Sequence, residues 1–358
     1  MTITRMTATR MTTTRMTITR RILLGAAVAL GLSAGAASAQ EVTLRLHQFL
    51  PAGANVPKNI LDRWADSVEE ASGGRIEVQR FPAMQLGGTP PELYDQAVDG
   101  VADVIWTVAG YTPGRFPRAE VFELPFLSPD AEATSRAYWR MAEESMLDED
   151  FADVKVLGTW VHGPGVIHAD TPVQSVSDMG GLKLRAPTRI VNMLLGELGA
   201  TAIGMPVPAI PEALSKGVID GAVIPWEVTG ALKVPELVQN HTEFAGDALY
   251  TTAFVFAMNK DRYEALPDDL RQVIDDNSGL EFSGFAGGQM QDDDGPAREA
   301  AVAAGNAIVT LGEDQLAEWR AAGQAVTDAW VAEMDEKGLD GAAMLERARA
   351  LIAEEVAG

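Results

Sequence analysis

Apolar and polar positions along the chain change period several times, and each change marks an element. Val42–His47 alternates like a half-buried strand, and Ile60, Leu61, Trp64, Ala65 and Val68 form one face of a helix that stops at Gly73-Gly74. Arg75–Phe81 alternates again, Pro90–Val98 reads as a short helix, and Ala102–Thr107 as a buried strand. This βαβαβ order predicts an α/β fold with a mainly parallel sheet covered by helices on both faces. A second unit of the same kind spans roughly Val154–Phe244. Within it, Leu182–Leu184 is an apolar strand closed by Arg185, and Ile190, Val191, Leu194, Leu195 and Leu198 share one helical face. Gly100-Val101-Ala102-Asp103 and Gly217-Val218-Ile219-Asp220 each join a helix to an apolar strand, as if one device were used once per unit. Strands at His241–Phe244 and Ala253–Met258 flank a turn at Gly246–Tyr250. From Pro267 to the end the pattern is helical, with a break expected at Asp292-Asp293-Asp294-Gly295-Pro296.

The N-terminus is of another kind. Four repeats (MTITR, MTATR, MTTTR, MTITR) precede an apolar run, Ile22 to Leu30, and the small-x-small site Ala37-Ser38-Ala39. That order predicts a secretory leader over residues 1–39, cut after Ala39, because the apolar run falls well short of the ~20 residues a membrane span needs. Met1 and Met16 both serve as starts for such a leader. Arg20-Arg21 before Ile22 faintly resembles a twin-arginine signal, although the general secretory route is favoured. The leader holds five arginines and no acid, so without it 23 basic residues face 51 acidic ones, a net charge of −28. Such a chain repels nucleic acid and anionic lipid, which removes both as partners, and an anionic ligand needs a local positive group. The chain has no cysteine, so disulfides, thiolate metal sites and cysteine nucleophiles are excluded.

Arg185 is that positive group. It sits at the C-terminal end of a strand, where open α/β sheets bind ligands, and its planar fork suits a carboxylate. The surrounding motifs run in a fixed order: Gly181, Lys183 and Arg185; Leu198, Gly199 and Ala200; Met205-Pro206; then Ala213, Leu214, Gly217, Asp220 and Gly221. In this order and spacing the chain resembles the solute receptors of TRAP (tripartite ATP-independent periplasmic) transporters over nearly all of residues 42–358. The resemblance implies a two-domain periplasmic binding protein fold. Its two sheets are joined by a hinge and its helical C-terminal third spans both. The implied domains are 40–162 plus 251–290, and 163–250 plus 291–358. It also implies that Arg185 clamps the carboxylate of a small organic acid held between the domains.

Departures from the family narrow that ligand. Where sialic-acid-type receptors carry a second arginine, this chain has His162-Gly163-Pro164-Gly165; Ile224 precedes Pro225 in place of asparagine; Val207 replaces an aromatic after Met205-Pro206. The Glu-Trp pair of metal-assisted 2-oxoacid receptors is Val223-Ile224, so binding is expected to need no metal and no cofactor. The expected ligand is a monocarboxylate with an apolar or aromatic body. Strand-end positions expected to face it are Gln48, Phe49, Gly87, Gly88 and Trp106 in the first domain, and His162, Pro225, Trp226 and Glu227 around the second. Glu227 is available for a hydroxyl or cationic group. Arg115 and Arg118 are weaker anion candidates, for which a solvated role is favoured.

The search for catalysis is negative. His47, His162, His168 and His241 show no metal spacing, and Gly31-Leu32-Ser33-Ala34-Gly35, a match to a nucleophile motif, falls within the leader. The expectation is therefore a monomeric transport receptor, not an enzyme, with the membrane subunits of a TRAP permease as partners and no stable membrane insertion of its own. A receptor feeding a sensor kinase and a periplasmic enzyme remain as alternatives.

Overall fold

The computed structural model describes residues 40–357; the expected leader and its cleavage site lie outside them. One sheet holds β1 (Val42–His47), β2 (Ile76–Phe81), β3 (Val104–Val108), β4 (Val154–Val161) and β10 (Ala253–Asn259), in the order β2-β1-β3-β10-β4. The other holds β5 (Val166–Ala169), β6 (Lys183–Ala186), β7 (Thr201–Gly204), β8 (Gly221–Ile224), β9 (Asn240–Phe244) and β11 (Ala307–Leu311), in the order β11-β9-β5-β8-β6-β7. Each sheet runs parallel except for one reversed strand, β10 in the first and β5 in the second. These are the strands entered just after the chain crosses between the sheets, at 162–165 and 245–252.

Helices cover both sheets: α1 (Asp62–Ala71), α2 (Leu93–Val98), α3 (Ala131–Ser145) and α4 (Arg189–Glu197), then α5 (Leu280–Ala303), α6 (Ala317–Glu336) and α7 (Gly341–Ala357). Trp64, Ala65 and Val68 of α1 are buried, and the helix ends where Gly73 and Gly74 adopt φ of 64° and 77°, a left-handed stop that costs glycine little. The apolar face expected for α4 is buried through Ile190, Val191, Leu194 and Leu195.

The two tetrads are one device used twice. Gly100 and Gly217 both turn left-handed, at φ 69° and 66°. Asp103 then accepts from the Arg45 backbone N–H and Asp220 from that of Lys183, each at 2.8 Å. Each carboxylate thereby ties the entry of a buried strand to its neighbour, β3 to β1 and β8 to β6.

Two expectations for the C-terminal third fail. The acidic run does not break it: α5 continues through Asp292–Asp294 and Pro296. Asp294 is engaged in accepting the Glu227 backbone N–H at 2.8 Å, so this run is a binding edge of the helix and not a turn. The third is also not wholly helical, because Ala307–Leu311 forms β11, pairing in parallel with β9 at the sheet edge. Its β-branched Ile308, Val309 and Thr310 favour an extended chain, and a short edge strand gives too few alternations to show in the sequence. The final helix α7 packs on α3, where Arg136 and Arg140 pair with Glu354 and Glu355.

Candidate functional site

The C-terminal ends of β1, β3, β4, β6 and β8 converge on a cavity between the two sheets. Strand ends of this kind leave backbone and side chains free to face a ligand. One wall is aromatic: Phe49 stacks on Trp106 with ring centroids 4.6 Å apart, and Trp106 stacks on Phe254 at 5.1 Å. Tyr111 closes on Phe49 edge-on at 5.7 Å. Val207, Ile224, Pro225 and Val228 add apolar surface opposite.

Into this apolar space the end of β6 delivers Arg185, whose exposure is only 1%. Its Nε donates to the Met205 carbonyl at 2.9 Å and Nη1 to the Val223 carbonyl at 3.2 Å, while Nη2 has no partner among the described residues. The groups around it are the hydroxyls of Tyr111 and Tyr250, and among the described residues no carboxylate pairs with it. Burial pulls its pKa down, yet a guanidinium stays protonated in proteins, so the cavity holds an uncompensated positive charge. The strand-end position alone does not leave the guanidinium exposed: it is buried. The two backbone carbonyls draw the side chain inward along the sheet edge.

Other buried polar atoms without a partner belong to the same lining: the Tyr250 hydroxyl, Trp106 Nε1 and Glu227 Oε2. Burial raises the Tyr250 pKa, which keeps its proton available for donation. Tyr250 reaches this place because Gly165 leaves room, since a Cβ there would sit 2.0 Å from the Tyr250 ring. His162 is different. Its Nδ1 meets the Gly163 carbonyl and Nε2 the Thr252 hydroxyl at 3.0 Å, so both ring nitrogens are engaged. Burial lowers its pKa to about 4, and the ring is neutral. For Glu227, burial and then the nearby Asp294 and Asp293 push the carboxyl well above the usual carboxylate range, which favours its protonated form.

Of the residues singled out from sequence, Phe49, Trp106, His162, Arg185, Pro225 and Glu227 come together in this cavity, and six do not. Trp226 alternates to the other side of the chain from Pro225 and Glu227. It packs against the His168 and His241 rings, each 4.8 Å away, and donates from Nε1 to Glu243 at 2.9 Å. Gln48 folds back on Leu50, donating to its carbonyl at 2.8 Å and accepting from its N–H, which leaves the next side chain, Phe49, to face the cavity. Gly87 and Gly88 lie in an exposed left-handed turn, with the Gly87 carbonyl accepting from Gln96. Arg115 and Arg118 are spent on Asp95 and Asp150.

Sequence reasoning missed Tyr111, Tyr250, Thr252 and Phe254. Tyr250 and Thr252 belong to the 245–252 crossing, and such a crossing between sheets was the signal that could have found them.

Comparison with known proteins bears on this geometry. Residues 47–334 match the family described as bacterial extracellular solute-binding protein, family 7. A TRAP solute-binding protein of Rhodoferax ferrireducens, solved with copurified benzoate, is 52% identical, with a TM-score of 0.86 over 88% of this chain and 99% of that one. A marine metagenome TRAP protein specific for aromatic acids, solved with 3-hydroxybenzoate, is 46% identical with the same TM-score and coverage. The C4-dicarboxylate-binding periplasmic protein DctP of Rhodobacter capsulatus is 27% identical over 88% of this chain and 93% of its own.

Proposed function

Because the chain belongs to family 7 of the bacterial extracellular solute-binding proteins, the solute receptors of TRAP transporters, we propose that it captures an aromatic monocarboxylate between two lobes and delivers it to transporter membrane subunits. One observation carries the ligand class: Arg185 is fully buried in an aromatic-walled cavity, without a carboxylate partner and with Nη2 unpaired. A buried charge without a counter-ion is costly, and a ligand carboxylate supplies the missing partner. The Tyr250 hydroxyl is placed to donate to the same anion. Phe49, Trp106 and Phe254 line the cavity with aromatic surface that suits an aromatic body. Relatives that bind benzoate and 3-hydroxybenzoate support the same class.

The lobes in this reading are 40–162 plus 251–290, and 163–250 plus 291–358, with α7 reaching back to α3. They close about the 162–165 and 245–252 segments once the carboxylate bridges Arg185 to the first lobe. Solute capture without chemical conversion is the family's mode. We place the protein in the periplasm as a monomer, its leader removed after Ala39.

Calorimetric titration with benzoate tests the reading, on protein recovered from the periplasmic fraction, whose intact mass also reads leader removal. Removing one member of a buried charge pair costs about 2–5 kcal/mol, so Arg185→Ala should raise Kd by about 30-fold to several thousand-fold. Arg185→Lys should also bind poorly, since an ammonium lacks the fork. Parent-like affinity in Arg185→Ala would show that the carboxylate binds elsewhere.

A further inference from the structure

The cavity has a second polar end. Glu227 is 3% exposed, Oε2 has no partner, and no ion pair or hydrogen bond joins it to Arg185. Its main chain is pinned on both sides: Asn55 Nδ2 donates to the Glu227 carbonyl and the Glu227 N–H donates to Asp294 Oδ1, each at 2.8 Å. The side chain is therefore held at the cavity wall from two directions, by Asn55 and by Asp294 of α5.

We propose that Glu227 is a specificity residue that reads a hydroxyl on the ligand's ring, so that the preferred ligand is a hydroxylated aromatic monocarboxylate with Arg185 at one end and Glu227 at the other. This rests on the reading of the cavity as a carboxylate site. The chemistry is reciprocal. A protonated carboxyl carries one O–H donor and one carbonyl acceptor, and a phenolic hydroxyl carries the complementary pair. A bare ring in this position leaves the buried Glu227 oxygen unsatisfied, which disfavours it relative to the hydroxylated one. An ammonium substituent is the poorer match: it demands an ionised Glu227 beside Asp293 and Asp294, and it forces a second ion pair out of water into an apolar space. Burial as the leading cause of the raised Glu227 pKa agrees with a neutral partner.

The test is a set of calorimetric titrations with benzoate, 3-hydroxybenzoate, 4-hydroxybenzoate and 4-(aminomethyl)benzoate on the parent, Glu227→Gln and Glu227→Leu. The readout is the ratio of dissociation constants measured on one protein, which cancels general damage from a substitution. In the parent at least one hydroxybenzoate should bind about tenfold or more tighter than benzoate, and the ammonium compound weaker than either. Glu227→Gln, which keeps a donor and an acceptor, should retain most of that preference, and Glu227→Leu should bring the ratio close to one. A parent ratio near one, an unchanged ratio in Glu227→Leu, or tightest binding of the ammonium compound overturns the role of Glu227 while leaving the carboxylate site intact. Failure of the parent to bind any of the four acids overturns the underlying reading instead.

Discussion

At the level of single residues, the site depends as much on missing side chains as on those present. Gly165 does not line the cavity, but it sets where the Tyr250 ring lies. Gly165→Ala places a methyl group inside that ring's volume, and overpacking of this kind costs about 1–3 kcal/mol. The expected result is a melting temperature several degrees lower together with weaker benzoate binding, read by thermal denaturation and titration of the same preparation; parent-like values in both would show that Tyr250 has other room. Arg185 was legible in sequence because a strand pattern ends on it and the motifs around it have fixed spacing. Its burial was not, since the Met205 and Val223 carbonyls that draw it in come from two other stretches of chain. Trp226 shows the complementary limit. Strand alternation says that Pro225, Trp226 and Glu227 face different ways, but it does not say which way is inward, and His168, His241 and Glu243 decide that from outside the segment.

Between elements, contacts away from the cavity hold the lobes together. Arg189 of α4 donates through Nε at 3.0 Å and through Nη2 to Glu120 in the Ala119–Glu123 turn of the first lobe, and reaches Glu333 of α6 through Nη1. Trp330 of α6 also donates to Glu120, at 3.2 Å, so this carboxylate is gripped from two helices, α4 and α6. Breaking the pair from one side strands a buried charge, which typically costs 3–5 kcal/mol, whereas removing both charges does not. The pair Arg189→Met with Glu120→Gln should therefore melt near the parent without ligand, yet release benzoate faster, seen as a raised dissociation rate by stopped-flow fluorescence. An unchanged dissociation rate would mean that this contact does not favour the closed form. The tetrads ending in Asp103 and Asp220 were readable because a left-handed glycine and a capping aspartate leave a local signature. β11 was not, because its partner β9 lies far back along the chain and five residues at a sheet edge carry little periodicity.

For the molecule as a whole, buried titratable groups fix where it is most stable. Burial keeps Glu123 and Asp294 protonated up to about pH 8, against ordinary values of 4.5 and 3.8 in an open chain. Between those limits the folded state holds more protons than the unfolded one, so stability falls as pH rises through this range, by up to about 1.4 kcal/mol per unit for each group. His162 and His168 are held neutral down to about 4 and 3, against 6.5 when exposed, so stability also falls as pH drops below 6.5. Melting temperature should peak between about pH 4.5 and 6.5 and decline on both sides; a maximum at pH 8 or above would contradict the buried neutral state of Glu123 and Asp294. The two-sheet α/β plan was legible from periodicity and motif order, and Glu227 was expected to face the ligand from its place at a strand end, while its burial was not legible, because Asn55 and Asp294, which pin its main chain, are distant in sequence. The reversed strands carry one more consequence, for the order of assembly. The first sheet waits for β10, made after five strands of the second sheet, and the second sheet waits for β11, made after β10. Neither lobe can finish while the chain is emerging N-terminus first, and contacts of such long sequence separation form slowly. For a chain exported unfolded, that interlock would give time, since neither core is complete until the C-terminal third is made.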